Sequence, residues 1–133
     1  MLKVSEAMAI ALHSMIYIAN RENEFCTVKE IAEKFNISEN HLSKVLQRLV
    51  KCGLLSSIKG PKGGFSIVSE YKNVTFIEIY KLIEGKPQKH NCLFNASQND
   101  CQKCIMSNLI DKMTSEFIEY MENNKISDFV IKE

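Results

Sequence analysis

Residues 27–68 constrain the fold more than any other part of the chain. Thr27 is a good N-cap and Glu30 stands three residues on, the two halves of a capping box. They open a short helix, Val28 to Phe35. Asn36-Ile37 makes a turn, and Ser38 caps a longer helix running to about Cys52. In that helix Leu42, Val45, Leu46 and Leu49 form an apolar stripe at helical spacing, and Gly53 suits its C-terminal cap. Leu54 to Ser57 and Phe65 to Val68 have strand-like composition and flank Ile58-Lys59-Gly60-Pro61-Lys62-Gly63-Gly64. That pattern predicts a β-hairpin with a glycine-rich tip. Two helices across a tight turn, the second longer and basic, followed by such a wing, read as a winged helix-turn-helix.

The rest of the chain is helical by pattern. A first helix is expected from about Lys3 to Asn20, with apolar residues around most of its circumference, as in a helix buried on several sides. Thr75 caps a further helix, Phe76 to Glu84, and Gly85 ends it. Lys86 to Asp100 has no periodicity and reads as a loop. A last helix is expected from about Cys101 to Asn124, roughly 35 Å long. Ile105, Met106, Leu109, Ile110, Met113, Phe117, Ile118 and Met121 form its apolar face. A short piece, Ile126 to Ile131, could fold back on the body. The fold class is mainly α with a small β-hairpin wing.

Composition narrows the class. The 133 residues are 45% apolar and 25% charged, which excludes intrinsic disorder. The most apolar run, Ala7 to Ala19, is broken by His13 and Ser14 and falls short of the roughly 20 residues a membrane span needs, so no membrane association is expected. Five cysteines, an odd count, and no secretory leader favour a reducing, cytoplasmic location. There is no phosphate loop, nucleophile elbow or H-E-x-x-H, so an enzyme is not expected.

Net charge is only +1, yet Asn40 to Ser69 holds Lys44, Arg48, Lys51, Lys59 and Lys62 and no acidic residue. Such a block suits DNA phosphates, each contact releasing a condensed counterion. Ser38, Asn40, His41 and Ser43 lie at the N-terminal end of the third helix, where base edges are read. Thr27 joins them from the start of the second helix. Lys59, Gly60, Lys62, Gly63 and Gly64 form the wing's share, its glycines allowing close backbone approach. The expected partner is double-stranded DNA.

A second constellation is Cys92-x8-Cys101-x2-Cys104. Three thiolates suit a soft metal, either zinc or an iron–sulfur cluster. A fourth cysteine is not supplied in that segment, and a Cys101–Cys104 disulfide is a rival reading. His90, two residues before Cys92, His13 and Glu6 are further candidate donors. Cys26 and Cys52 read as small, partly buried residues of the DNA-binding half.

The stretch I-S-E-N-H-L-S-K-V-L-Q-R-L-V-K-C-G-L-L-S-S-I-K-G-P-K-G-G-F, Ile37 to Phe65, closely resembles the IscR/NsrR/CymR regulators, often called the Rrf-two family. The G-P-K-G-G-F wing is the most specific part. The resemblance implies dimeric repressors or activators of the winged-helix class that act on double-stranded promoter DNA. If six to eight of the ten cations in such a dimer meet phosphates, the log–log salt slope should be about −5 to −7. It implies that the last helix pairs with its mate and the first packs across the dimer. Residues 1–85 would then be the DNA-binding domain, 86–104 a cysteine-containing sensor loop, and 105–133 the dimerisation helix and tail. It further implies a 2Fe–2S or 4Fe–4S cluster on Cys92, Cys101 and Cys104 with a non-cysteine fourth ligand. That cluster would report iron–sulfur supply, nitric oxide, iron or redox state. His13 matches a position used as a histidine ligand in some relatives. This chain departs from the family pattern in carrying His41 for a usual tyrosine, Ser107 for a histidine ligand, and a middle cysteine displaced toward the third. A thiol-redox regulator without a cluster, a CymR-like regulator set by a partner protein, and a zinc site are the alternatives.

Overall fold

Ser5 opens α1 (Glu6–Ala19), its hydroxyl accepting from the Met8 amide at 3.2 Å. The predicted start at Lys3 is therefore three residues early. The structure, a computed structural model, describes residues 4–87, 105–106 and 108–131. Met8, Ala11, Met15 and Ile18 of α1 are fully buried, and α3, α4, the second strand and the C-terminal turn all pack against this helix. That explains its apolar circumference: it is the central post of the fold. The Ser14 hydroxyl is buried within it and finds no hydrogen-bond partner among the described residues. Ser14→Ala is expected to stabilise the protein by about 1 kcal/mol, because an unpartnered buried hydroxyl carries its full desolvation cost. A midpoint of chemical unfolding at or below the wild-type value would contradict this.

The helix-turn-helix forms as its caps predict. In α2 (Val28–Phe35) the Glu30 amide donates to Thr27 Oγ1 at 3.1 Å and the Thr27 amide donates to Glu30 Oε1 at 2.7 Å. Asn36 takes a left-handed conformation and turns the chain. Ser38 caps α3 (Glu39–Lys51), whose Leu42, Val45, Leu46 and Leu49 are buried. Two antiparallel strands follow, β1 (Leu55–Ile58) and β2 (Gly64–Ile67), with Leu55 opposite Ile67 and Ser57 opposite Phe65. Both strands are offset by one residue from the expected spans, because Ile58 and Gly64 pair and extend the ladder toward the tip. Cys26 adds a bridge to the wing: its amide and carbonyl each bond Phe65 at 2.8 Å.

Helix α4 (Phe76–Glu84) starts at a second capping box, Thr75 with Glu78, and ends at Gly85. The last helix, α5 (Leu109–Asn123), corrects the expected span. Ile105 and Met106 lie in a turn and Asn108 is left-handed, so the helix begins at Leu109 and is about 22 Å long. Phe117 packs edge-on against Tyr80 of α4, ring centroids 5.7 Å apart. A final single turn, Ile126–Phe129, folds back as expected. Ile126 is fully buried, the Phe76 amide donates to the Asn124 carbonyl, and the Ile131 amide donates to Asn20 Oδ1 at 2.7 Å. Among the described residues no helix is long and apolar enough to cross a membrane.

Candidate nucleic-acid interface

With its apolar stripe buried, α3 turns its other side outward. Asn40, Lys44, Gln47 and Lys51 recur at steps of four, three and four and are all exposed, so they form one line along the helix. Ser43 is half-buried beside it. Gln47 was missed by the sequence reading, although the same helical spacing that marks the buried stripe assigns it to this face. Lys44 and Lys51 are in no ion pair or hydrogen bond among the described residues, and the same holds for Lys59 and Lys62 on the wing.

Other predicted residues have local duties. The Thr27 and Ser38 side chains cap α2 and α3. His41 is half-buried, with Nδ1 3.8 Å from Glu6 Oε1 on α1. Arg48 is exposed on α3 and also reaches a neighbouring helix. Its Nη2 donates to the carbonyls of Leu82 at 2.9 Å and Ile83 at 3.2 Å, in the last turn of α4.

The wing glycines divide into two kinds. A Cβ on Gly63 would stand 2.1 Å from the Ile58 carbonyl oxygen, and one on Gly64 would stand 2.4 Å from that of Cys26. Glycine at these positions is required by the hairpin's own packing. Gly60 has φ +114 and open space around it, so only there does the missing side chain leave room for an approaching partner. Ile58, 52% exposed, adds an apolar contact near the tip that the sequence reading passed over.

Of the metal-ligand candidates, Cys92, Cys101, Cys104 and His90 lie outside the described residues, as does Ser107. His13 is exposed on α1, beside a cleft of about 240 Å³ lined by Glu6, Ala9, Ile10, Phe35 and Ile37. His13 Nδ1 lies 2.8 Å from the Ala9 carbonyl, which can only accept. Nδ1 is therefore the protonated nitrogen, and Nε2 is left with a free lone pair in the neutral ring. Cys26 is fully buried, and burial followed by the Glu30 carboxylate pushes its thiol up to about 11. It is therefore a protonated core residue at neutral pH. Cys52 is exposed rather than partly buried, because it follows the last turn of α3 on the outer side. The described residues bring together no group of three metal donors.

Residues 4–132 match the model of the Rrf2 family, described as iron-dependent transcriptional regulator. The chain belongs to the Rrf2 family. Curated relatives include the HTH-type transcriptional regulator NsrR of Shouchella clausii, 28% identical over 127 residues that cover 92% of this chain and 85% of the relative. NsrR of Bacillus subtilis is 26% identical over 133 residues, covering 97% and 90%. Among solved structures, CymR (YrzC), the global cysteine regulator of B. subtilis, superposes with a TM-score of 0.75 at 26% identity, covering 96% of this chain and 95% of that one. The IscR structure of T. potens superposes at 0.69 with 22% identity, covering 96% and 85%, a likeness of fold. This Rrf2 chain is thus a winged-helix transcription regulator of a non-enzymatic, DNA-binding family.

Proposed function

We propose that this Rrf2 regulator acts in the cytoplasm as a homodimer that reads promoter DNA with α3 and the wing. We further propose that an iron–sulfur cluster on Cys92, Cys101 and Cys104 sets its affinity. The observation that carries the DNA reading is the exposed line Asn40–Lys44–Gln47–Lys51 in the same winged-helix unit as Lys59 and Lys62. Bases are met by Asn40, Ser43 and Gln47, and phosphates by the lysines. The α2 and α3 N-termini, capped by Thr27 and Ser38, supply backbone amides for phosphate oxygens. A second copy is the occupant proposed for the outer side of α5. There Leu109, Met113 and Tyr120, four and seven residues apart, are 46%, 58% and 54% exposed.

The donor set fits the cluster. Three thiols within thirteen residues suit iron, in keeping with the family's description as iron-dependent. His13 is the proposed fourth donor: the Ala9 carbonyl fixes its tautomer and leaves Nε2 for a metal. When bound, the cluster supplies a centre sensitive to redox state and nitric oxide. The chain's own contribution is to couple occupancy of these donors to the population of DNA-competent dimers.

A second reading is favoured by the similarity to CymR, which spans 95% of that structure. In it the regulator carries no cluster and answers to thiol oxidation or to a partner protein. Absorption spectra of anaerobically purified protein, with iron and acid-labile sulfide assays, separate the two. The expected result is a brown protein with matched iron and sulfide, lost on replacing Cys92, Cys101 or Cys104 with serine. A colourless protein after anaerobic reconstitution would leave the second reading, and stoichiometric zinc would point to a structural zinc site.

A further inference from the structure

The last four carbonyls of a helix have no intrahelical partner. In α4 these include Leu82 and Ile83, and the Arg48 guanidinium of α3 accepts the task of satisfying both. The cation also sits at the negative end of the α4 dipole. Helices α3 and α4 each pack on α1, and the side-chain hydrogen bonds between them come from Arg48. The same turn of α4 is tied to α1, where Ser5 Oγ donates to Glu84 Oε1. One residue further on is Gly85, beyond which the cysteine-bearing segment begins.

We propose that Arg48 is a positioning residue of the DNA-binding unit and not a phosphate ligand: it holds the recognition helix to the last turn of α4. DNA affinity then depends on the state of that turn, the last before Gly85. This rests on the reading of α3 as the DNA-reading helix. The side chain acts through geometry, so its loss changes where Asn40, Lys44 and Gln47 sit, not how many cations meet the DNA.

The test uses the full chain and a duplex selected from random sequence by the wild-type protein. Arg48→Gln is expected to weaken binding about tenfold, the equivalent of one lost charged hydrogen bond, with the log–log salt slope unchanged. Lys44→Gln serves as the control that flattens the slope. If Arg48 met phosphate, its replacement would instead flatten the slope by about 2 in a dimer. Either that flattening or unaltered affinity would overturn the assignment. A wild-type slope near zero would instead remove the DNA reading itself, so the two failures are distinguishable. Should Arg48→Gln not fold, arginine side-chain NMR on the wild-type chain decides. The Arg48 guanidinium signals are expected to be protected in free protein and unmoved by the duplex, and a large shift on adding DNA would overturn the proposal.

Discussion

Replacing Lys44, Lys59 and Lys62 together with glutamine is expected to flatten the salt dependence of DNA binding by about 5 log–log units. At low salt it is expected to weaken binding on the order of a thousandfold. The three side chains are exposed, lie on α3 and on the wing, and are held by no acidic partner among the described residues. Each dimer loses six cations, and each cation that met a phosphate had released about 0.9 of a counterion. With Arg48 occupied by α4, four free cations per chain remain on this block. Eight per dimer sets the wild-type slope at about −7 if all are used. The replacements should leave stability almost untouched, because exposed, unpaired lysines contribute little to it. Filter binding across a salt series checks the slope, and coincident curves for variant and wild type would contradict the interface.

The elements that were legible in the sequence are those whose signals are local. Thr27 with Glu30 marks the start of α2 and Thr75 that of α4, because each cap closes on an amide three residues on. The buried stripe of α3 was legible for the same reason, and it dictates the exposed face opposite. The start of α5 was not legible. The apolar repeat Ile105, Met106, Leu109 runs on without interruption, while the break at Asn108 is a backbone conformation that no neighbouring residue announces. The role of Arg48 was hidden because its acceptors are backbone carbonyls 34 and 35 residues away, and any residue type supplies a carbonyl. Among side chains on paper it is one more cation in a basic block. The thiol constellation is the opposite case. Its chemistry rests on residue identity and spacing, so Cys92, Cys101 and Cys104 remain as visible in the sequence as they will ever be.

The wing glycines offer the sharpest separation between folding and function. Gly64 opens β2, pairs with Ile58, and lies with φ +148 against the backbone of Cys26. A Cβ there would stand 2.4 Å from the Cys26 oxygen and 2.7 Å from its carbonyl carbon. Neither atom can move away cheaply, since Cys26 is buried and bonded to Phe65 through both its amide and its carbonyl. Thr27, the cap of α2, is the next residue, so a displaced Cys26 also disturbs the helix-turn-helix. Gly64→Ala is therefore expected to cost about 3 kcal/mol or more. The midpoint of thermal unfolding should fall by about 10 °C. Gly60→Ala meets open space and only an unfavourable φ, so its cost should be about 1 kcal/mol. Its effect should instead appear in DNA affinity, where a methyl group intrudes between backbone and phosphate. Parallel melting curves and binding isotherms of the two variants test this division. Equal melting points would mean that the bridge from Cys26 to the wing does not hold β2 in place. A Gly60→Ala variant that binds DNA as wild type does would move the point of closest approach away from the tip, toward the lysines on either side of it.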